Sequence, residues 1–204
     1  MASISENIVR EYFELHGFFV RQQRKYIAPS RLEDDEIDFL VLHPRHSAAA
    51  ELPFLLRSED LAGIAAGVVV VKGWHSETFS PGLLANAPEI FRFLEPSVFQ
   101  AATKSFGRDA APAKILVVPA LPAGAEARQE SIALLRGKGV DAVLPFRTML
   151  ADLVGHIEVN RNYQKSDLLQ VIRILKNYEL FGDAQLDLFR SAPKRRRPGR
   201  RRTG

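Results

Sequence analysis

Val68-Val69-Val70-Val71-Lys72-Gly73-Trp74 and, upstream of it, Glu36-Ile37-Asp38-Phe39-Leu40-Val41-Leu42-His43 are the two stretches on which the fold turns. The first is a near-continuous β-branched run ended by a lysine and a glycine, the composition of a central strand covered on both faces. The second alternates. Ile37, Phe39 and Val41 are expected on one face, and Asp38, Leu40 and Leu42 on the other. Pro44 closes that strand. Each run carries one ionisable residue, Asp38 or Lys72, among apolar neighbours.

Upstream, the spacing predicts a helix over 4–16. Ile4, Ile8, Val9, Tyr12, Phe13 and Leu15 fill one half of a helical wheel, Ser3 and Glu6 fit a capping box, and Gly17 supplies a stop. Residues 18–26 then read as a strand whose second half is basic and amide-rich: Arg21, Gln22, Gln23, Arg24 and Lys25. Downstream, a long connection over 45–66 holds a short helix at about 58–65. A helix over 88–106, a strand over 114–119, a helix over 126–138 and a short strand over 140–144 follow. From Arg147 onward the chain reads as helical in two pieces, the second capped by Ser166 with Leu168, Leu169, Ile172 and Leu175 on its core face. The order α-β-β-β-α-β-α-β, followed by C-terminal helices, predicts an α/β fold with a mixed central sheet flanked by helices. The expected divisions are an α/β domain over 1–146, a helical extension packed on it over 147–190, and a basic tail over 191–204.

Composition narrows the function classes. The 204 residues carry 28 Lys+Arg, 24 Asp+Glu and no cysteine, a formal charge of +4. Seven of the basic residues, Lys194, Arg195, Arg196, Arg197, Arg200, Arg201 and Arg202, lie in the last fourteen positions, which hold no acid. Without them the body has 21 basic residues against 24 acidic ones and stands at −3. With 46% apolar residues that body has material for a core, whereas the tail, with Pro193, Pro198 and Gly199, cannot bury enough to fold alone. Absent cysteines exclude a disulfide framework and thiolate metal sites. No apolar run approaches the ~18 to 20 residues of a membrane span, and the first residues carry carboxylates where a signal peptide carries Lys/Arg. The expectation is a soluble, cytoplasmic protein with no membrane partner.

A carboxylate on one strand and a lysine ending its neighbour suit metal-assisted phosphodiester hydrolysis. The carboxylate holds Mg²⁺, whose preference is for hard oxygens, and the lysine steadies the developing charge or the attacking water. The order of elements, Glu36-Ile37-Asp38, Val68 to Lys72, Glu6 on the first helix and Gln100 on a later one together resemble the PD-(D/E)XK nuclease superfamily, the restriction-endonuclease-like fold, over about residues 4–120. That resemblance implies an αβββαβ core and Mg²⁺-dependent cleavage of DNA. It implies Asp38 as metal ligand, Lys72 as catalytic lysine, Glu6 as a further catalytic residue and Gln100 as an auxiliary one. Members are often homodimers; the sequence itself carries no dimer signature.

The triplet, however, reads Val70-Val71-Lys72, with valine where the family has Glu or Asp. Glu77 and Glu89 are the nearest carboxylates that would replace it. Otherwise Asp38, Glu6, the Val71 carbonyl and a substrate phosphate make one weak metal site, or the domain keeps the fold for binding alone. Two functions therefore stand: a metal-dependent DNA nuclease, and a catalytically inactive nuclease-fold module for DNA binding or complex assembly. In either, Arg21, Arg24, Lys25 and the tail supply phosphate contacts, the tail as a salt-sensitive tether without base specificity. A third reading has the tail alone binding polyanions.

Plainer roles compete at each position. Asp38 also reads as a strand-edge carboxylate and Lys72 as a solvated strand end, readings the resemblance outweighs, while Glu6 is fully accounted for as a capping-box residue. His75 reads as a loop histidine and Trp74 as a packing anchor. The sequence has no Walker loop, no GxGxxG and no nucleophile–His–acid pattern.

Overall fold

A computed structural model describes residues 3–23, 37–46, 52–106 and 111–181. Arg24, Lys25 and the tail arginines fall outside these residues, as does Lys194.

Five strands form one mixed sheet in the order β1-β2-β3-β4-β5. They are β1 Phe19–Gln22, β2 Phe39–Leu42, β3 Ala66–Val71, β4 Ala113–Val118 and β5 Ala142–Pro145. The first three make an antiparallel meander, with Phe19 opposite Leu42 and Phe39 opposite Val69; β4 and β5 then run parallel to β3. Phe54 and Leu56 clip onto β5, where Val143 N donates to Phe54 O at 2.7 Å and Leu56 N to Val143 O at 2.9 Å. That segment covers an edge whose N–H and C=O groups would otherwise be open to another strand.

The described residues form six α-helices: α1 Ile4–Leu15, α2 Pro81–Asn86, α3 Pro96–Thr103, α4 Ala125–Lys138, α5 Phe146–His156 and α6 Asp167–Asn177. Side-chain alternation along β3 divides the core. Val68 and Val70 share one buried cluster with Phe79, Leu84, Ile90, Phe93, Val98 and Leu135, so α2, α3, α4 and the 3₁₀ segment Pro88–Leu94 cover that face. The opposite face carries Phe39, Val41, Val69, Ile115 and Val117, all fully buried. There α1 packs, with the Phe13 ring edge-on to Phe18 at 5.1 Å. The apolar face of α5 (Phe146, Met149 and Leu153) is likewise buried.

Local chemistry explains most boundaries. Ser3 caps α1 by accepting from Glu6 N, and Ser166 caps α6 by accepting from Leu169 N, as their spacing predicts. Gly139, at φ 96°, ends α4 in the left-handed region that a side chain would strain. The helix expected over 88–106 is instead interrupted. Pro88 and Pro96 each open a separate helical segment, because a proline inside a helix would remove a bond and clash with the preceding turn. Helix α2, capped by Ser80, precedes them over residues for which the sequence predicts no helix.

The chain divides into two compact units, Met1–Ile157 and Glu158–Gly204. The first takes in the sheet and α1 to α5. In the second, the Tyr163 hydroxyl accepts from Glu158 N at 3.0 Å, and Arg173 Nε donates to Val159 O at 2.8 Å, tying the start of the unit to α6. No helix among the described residues is long and apolar enough to cross a membrane.

Candidate functional site

Asp38 and Lys72 stand at neighbouring strand ends, Asp38 just before β2 and Lys72 just after the antiparallel β3. The backbone around Asp38 is held on both sides: Gln23 N donates to Asp38 O at 2.8 Å and Asp38 N donates to Val69 O at 3.1 Å. Phe39 is also the register partner of Val69, so two residues of one strand address one of the other, the arrangement of a β-bulge. The alternation expected over 37–42 breaks there. Ile37 joins the core of Leu40, Val68 and Val70 rather than the face of Phe39 and Val41. Asp38 Oδ2 accepts a 2.6 Å hydrogen bond from Val71 N, closing the ladder with a side chain.

The loop leaving β3 fits tightly against α1. A Cβ on Gly73 would lie 2.5 Å from Ser5 Oγ, so a side chain there would displace the Ser5 hydroxyl. Ser5 Oγ and His75 Nε2 are hydrogen-bonded at 2.9 Å, and the His75 ring sits edge-on to Phe146 at 4.7 Å. Trp74 stacks on Phe79 with centroids 5.7 Å apart. His75 and Trp74 therefore bind the loop down, one to each side of the sheet.

The sheet also separates the other expected site residues. Glu6 Oε2, on the α1 side, accepts from Gln22 Nε2 at 2.7 Å, so its carboxylate serves a tertiary contact as well as the charge preference of a helix N-terminus. Lys72, half-buried, reaches to the opposite layer, where Nζ donates to the Glu89 carbonyl over a long 3.5 Å. The carboxylates of Glu77 and Glu89 are exposed and form no ion pair with a described residue. Gln100 is exposed on α3, its carbonyl accepting from the Thr103 hydroxyl. Arg21 is exposed on β1.

A divalent cation of the Mg²⁺ type needs several oxygen ligands converging on one point. Here Val70 contributes none and is 1% exposed within the core. Oδ2 of Asp38 is engaged by Val71 N, and Glu6 is engaged by Gln22. Among the described residues no group of three or more His, Asp or Glu is arranged to hold a metal. Among the described residues, the groups around Asp38 do not supply the converging oxygens of the ion that the resemblance implies.

A second polar cluster escapes the sequence. Asp152 on α5 accepts from His16 Nε2 at 2.8 Å, while His156 Nδ1 lies 3.5 Å from the same oxygen. The His16 ring packs edge-on to Tyr12 at 4.8 Å, and the Tyr12 hydroxyl pairs with Ser58 Oγ at 3.0 Å. Burial pushes the Tyr12 phenol up to about 12, with the Ser58 hydrogen bond opposing and the negative charges of Asp152, Glu59 and Asp60 assisting. A depression of about 430 Å³ opens beside this cluster, lined by Ser58, Thr148, Asp152 and His156 among others. The i,i+4 spacing of Asp152 and His156 is a visible signal; the partnership with His16, just past the end of α1 and far back in the chain, is not.

No family model, curated protein or solved structure matches this chain.

Proposed function

We propose that this chain is a nucleic-acid-binding module on a restriction-endonuclease-like αβββαβ core that works without a bound divalent cation. The observation that carries the reading is the corner where β2 begins and β3 ends. Its strand order and its Asp38 and Lys72 agree with that core, yet the position of the missing acid is Val70, packed inside the apolar cluster, and the Asp38 carboxylate is committed to Val71 N. Asp38 then serves as a ladder-closing residue, and affinity comes from cations facing phosphate, Arg21 on β1 together with Arg24, Lys25 and the tail. On this reading the protein is cytoplasmic and its partner is DNA.

The test is binding of labelled DNA by the full chain in the presence of EDTA. Affinity should be retained by the Asp38→Asn variant and should fall steeply with salt. Loss of binding on chelation would reject the module reading.

A second reading, a Mg²⁺- or Mn²⁺-dependent DNA nuclease, homodimeric in the manner of many members of that family, draws on one observation: Asp38 and Lys72 do occupy adjacent strand ends. It requires metal-dependent cleavage abolished by Asp38→Ala and by Lys72→Ala alike. Cleavage unaffected by either variant would remove it.

A further inference from the structure

The outer strand β1 shows an aromatic ring to solvent where a folded protein ordinarily hides one. Phe18 is buried, held between the rings of Phe13 and His43 at 5.1 and 4.7 Å. The next residue, Phe19, is 66% exposed and makes no ring contact with a described residue. Its cross-strand partner is Leu42, itself 43% exposed, so the two form an apolar step on one face of the sheet rim. Leaving a phenylalanine in water forgoes its burial free energy, and edge strands usually carry charge at such positions.

The described residues that flank this step along β1 and after β2 are basic or uncharged. Alternation puts Arg21 on the same face as Phe19, two residues and roughly 7 Å along the strand. Its guanidinium is exposed and forms no hydrogen bond or ion pair with a described residue. Beyond Leu42 follow His43, Pro44, Arg45 and His46, the last three exposed. Neither β1, β2 nor residues 43–46 contain a carboxylate. A free aromatic face flanked by cations, on a body whose average charge is negative, is complementary to a base with its phosphates.

We infer that the β1–β2 rim is a stacking platform for single-stranded nucleic acid, with an unpaired base on the Phe19 ring and backbone phosphates at Arg21 and Arg45. This rests on the nucleic-acid reading above and narrows its substrate class. A base paired within a duplex keeps its π-face stacked on its neighbours, so only an unpaired or extruded base fits this ring.

The experiment compares a labelled single-stranded DNA oligonucleotide with its duplex, using the full chain and variants at two salt concentrations. Phe19→Ala should weaken single-strand binding about 5- to 100-fold, the loss of one base–aromatic stack, with little effect on duplex. Arg21→Gln should reduce the slope of log affinity against log salt by about one. Because the tail adds affinity of its own, a second readout is Phe19→Trp. Single strand should quench the indole emission that this variant gains, a change absent from the wild-type chain, whose only tryptophan is Trp74. An unquenched indole in Phe19→Trp, together with unchanged single-strand affinity of Phe19→Ala, overturns the platform, while continued DNA binding leaves the broader reading standing. A wild-type chain that binds neither DNA form rejects both. A dimer that Phe19→Ala dissociates, at unchanged DNA affinity, assigns the rim to a second copy of this chain and also overturns the proposal.

Discussion

The carboxylate of Asp38 accepts a 2.6 Å hydrogen bond from the backbone N–H of Val71, and with it the last rung of the β2–β3 ladder is made by a side chain. Asp38→Ala leaves that N–H without its acceptor, at a cost of about 1–3 kcal/mol. Asp38→Asn keeps an oxygen in reach and should lose less. Denaturant unfolding of the three proteins checks the order wild type, Asn, Ala; equal stability of Ala and wild type would contradict the structural role.

Val70 is the position where the resemblance places an acid, and it is almost wholly enclosed among Val68, Leu116 and the other residues of the apolar cluster. Val70→Glu is expected to lower stability by about 3 kcal/mol or more, since a carboxyl there has no hydrogen-bonding partner. Added Mg²⁺ should not raise the melting temperature of the variant. Recovery by Mg²⁺, absent for the wild type, would favour the nuclease reading.

At Gly73, an alanine Cβ would meet Ser5 Oγ at 2.5 Å and Ser5 Cβ at 3.0 Å. The Ser5 hydroxyl must turn away, giving up its bond to His75, and Ser5 Cβ must give by a few tenths of an ångström. Gly73→Ala should cost about 1–3 kcal/mol as an overpacked contact. The expected signature is a lower denaturation midpoint with an unchanged m-value.

Tyr12 makes alkaline stability measurable. Its phenol ordinarily titrates near 10.0 and is pushed to about 12 when buried, so between those values the folded chain keeps a proton that the unfolded chain releases. The stability tied to this proton is complete below pH 10 and falls as pH rises toward 12, by up to about 2–3 kcal/mol. Tyr12→Phe should flatten that decline, while costing about 1 kcal/mol at neutral pH for the lost Ser58 hydrogen bond. Chemical denaturation across the alkaline range tests both; an unchanged slope in Tyr12→Phe would refute the assignment.

Asp152 joins α1 to α5 through His16, with both side chains largely buried. Asp152→Ala removes the acceptor shared by His16 and His156 and should destabilise by about 1–3 kcal/mol. His156→Ala, at the more exposed end of the cluster, should cost less. Hydrogen exchange should show the loosening first at the C-terminal turn of α1.

Periodicity and punctuation make much of the fold legible. The valine run of β3, the amphipathic first helix with its Ser3 cap, and the Ser166 cap of α6 are local patterns, and local patterns survive in sequence. Helix α2 and the breaks at Pro88 and Pro96 are harder to read, because a proline opens a new segment as readily as it ends the previous one. At the candidate site the adjacency of Asp38 and Lys72 is readable from strand order. The destinations of their polar atoms are not.

Residue type and short-range spacing are enough to establish the α/β class, the succession of the five strands, the acidic body with its basic tail, and the valine at position 70 where the resemblance expects an acid. Long-range packing was needed for the rest. It made Asp38 the residue that closes a backbone ladder, held Glu6 to Gln22 on one side of the sheet while Lys72 turns to the other, and set Phe19 rather than Phe18 toward solvent. Each follows from strand register and the bulge at Asp38, where a shift of one residue exchanges the buried face for the exposed one. That register is fixed by the packing of the whole sheet, not by any neighbour along the chain.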